Sequence, residues 1–137
     1  MELKLKICFL ILAHSNPEQL SVLLEDIDND NADIYIHIDK KSDISSFIHL
    51  ENKNITFIDE RVEIYWGEFS IVEATINLLK VATKKKYDYY SLLSGSDILV
   101  QSPSKLLKYL ELNRGNEFIN IIPMPSTKLN KPLSRLE

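Results

Sequence analysis

Seven apolar residues in unbroken succession, Ile7-Cys8-Phe9-Leu10-Ile11-Leu12-Ala13, place the tightest constraint on what this chain can become. Such a run has no polar side to offer water, so it predicts a strand covered on both faces, as in the middle of a parallel sheet. It stops at Ser15-Asn16-Pro17-Glu18-Gln19. There either Ser15 with Glu18, or Asn16 with Pro17 and Gln19, can open a helix. Leu20, Leu23, Leu24 and Ile27 then recur at i, i+3, i+4 and i+7, a helical stripe that needs a core to face. Strand, tight turn and capped helix form the first half of a βαβ unit.

The alternation continues. Residues 34–38 read as a second strand with Ile34, Ile36 and Ile38 on one face and Tyr35, His37 and Asp39 on the other. A polar bend leads to a short helical turn near 44–50, and 54–58 is a third strand. Residues 62–69 are aromatic and interrupted by Gly67, a loop more than a strand. Ser70-Ile71-Val72-Glu73 is a capping-box signature for a helix to about Thr83, with Val72, Ile76, Leu79 and Thr83, or Val81-Ala82, as its inward stripe. Residues 89–94 form a fourth strand; Ser102 and Pro103 open a helix that Gly115 closes; residues 117–122 read as a fifth strand. At 137 residues the chain holds one domain, with residues 1–122 as its body and 123–137 as an irregular tail. The expected class is α/β: a mainly parallel sheet of about five strands with helices on both faces.

Composition removes several functions. Sixteen basic and twenty acidic side chains leave a net charge of −4, which argues against a general nucleic-acid binder. The deficit is uneven: residues 1–63 carry 6 basic and 13 acidic side chains, residues 64–137 carry 10 and 7. The late basic excess suits an anionic ligand or solvated helix faces. The single Cys8 excludes an intramolecular disulfide and a cysteine-cluster zinc site, and its apolar neighbours make it a buried, inert thiol. No stretch approaches the ~18 apolar residues that span a bilayer. Lys4 and Lys6 precede the run at 7–13, but no small-residue cleavage site follows it, so the expectation is a cytoplasmic protein. There is no Gly-x-x-x-x-Gly-Lys phosphate loop, and three glycines cannot supply a dinucleotide fingerprint. No Gly-x-Ser-x-Gly elbow occurs. Asp26-Ile27-Asp28-Asn29-Asp30 ends a helix without the glycine and distal glutamate of a calcium loop, and reads as a solvated turn.

Ligands of such sheets bind beyond the carboxyl ends of the strands, and three of those ends carry unusual chemistry. They are Ala13-His14-Ser15-Asn16, His37-Ile38-Asp39-Lys40-Lys41 and Ser94-Gly95-Ser96-Asp97, with Tyr65-Trp66-Gly67 as a neighbouring loop. Small Ala13 lets a planar base lie against backbone. Asp39 can accept hydrogen bonds from a uracil imide or ribose hydroxyls, Trp66 or Tyr65 can stack, and Gly95 lets a ligand approach the main chain. Each has a plainer reading. Asp39 and Asp43 can cap the next turn, His37 can be a hydrogen-bonded strand histidine, Trp66 a core plug, and Gly95-Ser96-Asp97 a simple turn. His37 and Asp39 share a face and could hold a metal, but no third ligand is evident.

Four blocks also carry a resemblance: FLILAHSNPEQLSVLLEDID (9–28), DIYIHIDKKSD (33–43), FIDERVEIYWGEFSIVEATINLLKVA (57–82) and YDYYSLLSGSDILVQSPSKLLKYLE (87–111). In that order they resemble the core-2/I-branching β-1,6-N-acetylglucosaminyltransferases and their peptide O-xylosyltransferase relatives, in a bacterial-type version without a membrane anchor. The resemblance implies a GT-A fold whose Rossmann-like half binds a UDP-sugar donor. It implies transfer of N-acetylglucosamine or another sugar to a glycan acceptor, with inversion and with no metal or other cofactor. The parent enzyme could work at a membrane surface. By the same resemblance, Ala13 and His14 line the uridine pocket, Asp39 with Lys40 approaches the uridine, and Trp66-Gly67 borders the donor. Ser94, Gly95, Ser96 and Asp97 face sugar and diphosphate.

In that family the general base, a glutamate, and the cations for the diphosphate lie in a later half. The chain is therefore read as a donor-binding portion, inactive alone. Glu137 is not assigned as the base, and Arg61, Arg114, Lys128 and Arg135 remain unplaced cations. Two other readings stand beside this one. One is a non-enzymatic Rossmann-like binding module. The other is a phosphoacceptor receiver, ranked last because Ala13-His14 stands where it needs an acidic cluster.

Overall fold

The run at 7–13 becomes β1 (Ile7–Ala13), buried along both faces at the interior of a four-stranded sheet. The computed structural model describes residues 5–130. On one side β1 pairs in parallel with β2 (Ala32–Ile38), from Ile7 opposite Ala32 to Ala13 opposite Ile38. On the other it pairs in parallel with β4 (Tyr89–Ser94), from Ile7 opposite Tyr89 to Leu12 opposite Ser94. The short β3 (Ile55–Phe57) joins the outer edge of β2, giving the order β3-β2-β1-β4 with every pair parallel. The chain is thus α/β with a Rossmann-like core. Two short 3-10 turns, Ile44–Ser46 and Ile48–Leu50, fill the predicted helical turn before β3.

Side chains of β1 divide by parity, as a strand requires. Ile7, Phe9, Ile11 and Ala13 pack with Ile34, Ile36 and Ile38 beneath α1 (Pro17–Ile27) and α3 (Pro103–Leu112), together with Phe47. Cys8 and Leu10 pack with Tyr35 and Ile58 beneath α2 (Ser70–Ala82). Burial in this second layer, with nearby Asp33 adding to it, pushes the Cys8 thiol up to about 12, leaving it un-ionised. Asn16 is the residue that caps α1. Its side chain accepts the Gln19 N–H at 3.1 Å, and Pro17 occupies the first turn, where no N–H is missed. Asp28, in the acidic stretch read as a solvated turn, is partly buried and accepts from the side-chain amides of Asn52 (2.8 Å) and Asn54 (2.6 Å). It ties the end of α1 to the approach to β3.

Three expectations need correction. The capping box at Ser70 does not form: Phe69 is the capping residue, and Ser70 Oγ instead accepts the Tyr65 N–H at 2.9 Å, bracing the preceding loop. The inward stripe of α2 is Ala74, Asn77, Leu78 and Ala82, while Val72, Ile76 and Leu79 are 36–44% exposed. Alanines bring the helix axis close to the sheet, whereas the larger stripe would hold it away. Finally, residues 117–122 form no strand. A strand persists only where its N–H and C=O groups find a ladder, and this segment pairs with no strand among the described residues. Phe118 packs its ring against Tyr89 (6.0 Å) and Tyr109 (5.5 Å), and Ile119 and Ile121 face outward.

α2 lies over β1 and β2, so the same face of β4, with Tyr90 and Leu92, is uncovered. The two stripes of α2 should therefore differ sharply in urea denaturation. Leu78→Ala is expected to lose about 2–5 kcal/mol, and Ile76→Ser under about 1 kcal/mol.

Candidate functional site

Parallel strands put all their carboxyl ends on one rim, and β1 gathers the rim around itself. The first residue after β2, Asp39, donates its N–H to the Ala13 carbonyl at 2.8 Å. The first residue after β4, Gly95, donates to the Leu12 carbonyl at 2.8 Å. The ends of β2 and β4 are thus bonded to the end of β1, which brings Ala13, Asp39 and the turn at 94–97 to one rim. A Cβ on Gly95 would stand 2.6 Å from the Ala13 Cβ and 3.3 Å from its Cα. The glycine is explained first by closure of β4 on β1, ahead of any ligand.

Asp39 is 5% exposed. Its Oδ1 accepts the Lys41 N–H at 2.9 Å and its carbonyl accepts the Ser42 N–H at 2.9 Å, so it caps its own turn as well as standing on the rim. Oδ2 lies 3.6 Å from Lys41 Nζ. Ser42 Oγ donates to the His14 carbonyl at 2.5 Å, joining the loops after β1 and β2. His14 itself is exposed and enters the rim through its backbone; Lys40 likewise is exposed, with its N–H donated to the Val62 carbonyl at 3.0 Å. Asp43 does only what its plainer reading gave. Its carboxylate takes the hydroxyl and N–H of Ser45 at 2.7 and 3.0 Å, which holds it below its ordinary range.

The segment from 59 to 69 is fastened to this rim. His37, fully buried, accepts the Val62 N–H on Nε2 at 3.0 Å. Arg61 donates to the Ser42 carbonyl (3.2 Å) and the Asp39 carbonyl (3.5 Å). Lys41 Nζ donates to the Ile64 carbonyl at 2.5 Å and sits 4.1 Å over the Tyr65 ring. At the tip, Glu68 N–H closes a turn on the Tyr65 carbonyl, and Gly67 takes φ +78°, a conformation that favours glycine. This turn leaves Trp66 95% exposed. Trp66 is no core plug; it is a bare aromatic surface on a braced loop.

Across the rim, Asp97 Oδ2 accepts the Ser94 N–H at 2.8 Å and Ser94 Oγ accepts the Ser96 N–H at 3.3 Å. Ser94, Gly95, Ser96 and Asp97 therefore form one tight turn, with the Asp97 carboxylate folded back onto the end of β4. A depression of about 420 Å³ at the start of α3, lined by residues such as Asp26, Ser102 and Lys105, includes none of these rim residues.

Sequence reasoning chose Lys40 and passed over Lys41. The signal was present: with period 2, Lys41 falls on the side of His37 and Asp39, and Lys40 does not. Of the unplaced cations, Arg61 reaches the rim. Arg114 is at the opposite end of the sheet, bonded to Asp88 (2.7 Å) and Glu111 (2.9 Å). Lys128 is exposed in the tail, and Arg135 lies outside the described residues. Among the described residues no three His, Cys, Asp or Glu side chains converge as a metal site, and no helix is long and apolar enough to cross a membrane.

The family model described as Core-2/I-Branching enzyme matches residues 7–136. The chain belongs to the Core-2/I-Branching enzyme family. Among curated proteins, it is similar to Xylosyltransferase oxt of Drosophila pseudoobscura pseudoobscura, 32% identical over 91 residues, which cover 62% of this chain and 10% of that protein. It is also similar to a Xylosyltransferase of Ciona intestinalis, 27% identical over 121 residues, covering 83% of this chain and 14% of the other. The Core-2/I-Branching chain thus spans about a tenth to a seventh of the length of these relatives.

Two outcomes follow for this rim. Gly95→Ala is expected to cost about 1–3 kcal/mol, with the double variant Ala13→Gly/Gly95→Ala losing less than the sum of its parts in urea denaturation. His37 is held below its ordinary 6.5 by burial; its own backbone and Asp39 oppose this, and Arg61 adds to it. Its contribution to stability is complete above pH 6.5 and is lost as pH falls from there through the lowered value, because the unfolded chain takes the proton first. Between pH 7.5 and 5.5, wild type should lose up to about 1.4 kcal/mol per pH unit more than His37→Gln.

Proposed function

We propose that this chain is the donor-binding portion of an inverting, metal-independent glycosyltransferase, which moves N-acetylglucosamine or another sugar from a UDP-sugar to a glycan hydroxyl. The observation that carries the reading is the rim itself. Buried Asp39, bonded to the end of β1, stands beside Lys41 and a braced loop that presents Trp66. Membership of the Core-2/I-Branching family supports the class of reaction, and two relatives named xylosyltransferase keep xylose among the candidate sugars.

In this reading Asp39 accepts hydrogen bonds from the uracil imide or the ribose hydroxyls. Ala13 leaves room for the base, and Trp66 or Tyr65 stacks on it. The turn Ser94-Gly95-Ser96-Asp97 faces the diphosphate and sugar. The acceptor hydroxyl attacks C1 from the side opposite UDP while a carboxylate takes its proton, and the C1–O bond to the β-phosphate breaks. Inversion follows from that single displacement. Negative charge then develops on the leaving diphosphate, and fixed cations must meet it. Lys40, Lys41 and Arg61 are cations at this rim, whereas the rim carboxylates Asp39 and Asp97 already take backbone N–H groups. No carboxylate of the rim is assigned as the base.

Trp66 is the only tryptophan, so its fluorescence reports on the site directly. Titration with UDP or UDP-N-acetylglucosamine should quench it equally with and without EDTA. Asp39→Asn should weaken binding about tenfold or more, as expected for losing a charged hydrogen-bond acceptor. A response that strictly requires Mn²⁺ would remove metal independence. Indifference to every nucleoside diphosphate would favour the non-enzymatic module.

A further inference from the structure

We propose that His37 is a positioning residue of the donor site: its buried imidazole holds the 61–66 segment against the end of β2 and so sets where Trp66 stands. This rests on reading the rim as the donor site. His37 lies inside β2 on the face that packs beneath α2, where Tyr35 and Leu10 are its neighbours in the layer. An apolar residue would suit such a place better, because a buried imidazole must satisfy two nitrogens. Here only one is satisfied. Nε2 accepts the Val62 N–H at 3.0 Å, and Nδ1 has no partner. Since Nε2 accepts, the neutral ring carries its proton on Nδ1 and leaves that N–H unpaired, a cost carried for the sake of one bond to one loop.

That loop needs the bond. Ile58 N–H still reaches the Ile36 carbonyl in the manner of the β3 ladder, after which the chain leaves the sheet. When it returns at Val62, its carbonyl receives the Lys40 N–H, but its own N–H faces no backbone acceptor on β2; the imidazole supplies one. The other buried polar side chains lie along the same stretch. Asn77 of α2 donates to the Glu60 carbonyl at 3.4 Å, and Asp39 offers its carbonyl to Arg61 at 3.5 Å. His37, Asp39 and Asn77 are the buried polar and charged residues among the described residues; His37 and Asn77 hold this segment through their side chains, and Asp39 through its backbone carbonyl. A loop held this firmly on its inner side, with a bare tryptophan at its tip, is pre-organised for a ligand that lies against that ring.

The test compares wild type, His37→Phe and His37→Gln in the 137-residue chain. It uses amide hydrogen exchange and a UDP titration read from Trp66. His37→Phe keeps a ring but offers no acceptor; His37→Gln restores one. The expected result is faster exchange confined to residues 59–66 in His37→Phe, with β1 and β2 protected, and UDP binding weakened about fivefold or more. His37→Gln should recover much of both. If His37→Phe does not fold, Val62→Pro deletes the same N–H from the loop side and takes its place. Unchanged exchange at 59–66 overturns the proposal, and so does faster exchange with UDP affinity within about twofold of wild type. If wild type and Asp39→Asn are alike indifferent to UDP while exchange responds to His37→Phe, the donor-site reading has failed. The positioning role falls with it, and only the backbone hold stands.

Discussion

The hydrogen bonds that close the ends of β2 and β4 onto β1 carry the rest of the structure. Asp39 N–H to the Ala13 carbonyl and Gly95 N–H to the Leu12 carbonyl continue the two parallel ladders past the last paired residues. Everything at the rim hangs from them: the turn that points the Asp39 carboxylate, the Ser42–His14 link, and the tight turn closed by Asp97. The second of these hydrogen bonds needs small side chains at its junction. Gly95 has no Cβ to strike Ala13, and Ala13 has only a methyl to receive it. A methylene more on either side would part the strands where their ends must meet.

Most of the sheet was legible because its signals are local. Seven apolar residues in a row, of strand length and stopped by a turn signal, suit an interior strand. Asn16 and Pro17 agree with the leucine stripe behind them on where α1 begins. Period 2 at 34–38 placed Ile34, Ile36 and Ile38 on one side and Tyr35 and His37 on the other, as found. The misreadings came where a choice depended on something not local. α2 has two stripes able to be the inner one, and hydrophobicity favours the larger. The sheet accepted the stripe with Ala74 and Ala82, which permits close approach and leaves Asn77 within reach of the Glu60 carbonyl. Residues 117–122 have the composition of a strand, but a strand is a relation between two segments, and this one has aromatic rings for partners.

At the candidate site, the structure brings the segments named from the sequence to one rim and gives several of their atoms other partners. Ala13, Asp39 and the turn at 94–97 were named because they follow strands, and parallel pairing does bring them together. Gly95 was read as access for a ligand, whereas its first duty is to Ala13. Lys41, which bridges Asp39 to the Ile64 carbonyl and the Tyr65 ring, was passed over for its neighbour. His37 was taken for an ordinary hydrogen-bonded strand histidine. That is true of its Nε2 and leaves out that the partner is a backbone N–H 25 residues away.

By itself, then, the amino-acid order determined the α/β alternation, the central strand, the start of the first helix and the three strand ends at which chemistry collects. Each of these follows from side-chain periodicity and backbone capping within a few residues. Tertiary structure alone decided which face of α2 turns inward and how the loop bearing Trp66 is fastened. The physical reason is that these are contests between segments far apart in the chain. They are settled by how closely two surfaces approach and by which buried N–H finds an acceptor, and no local pattern encodes either.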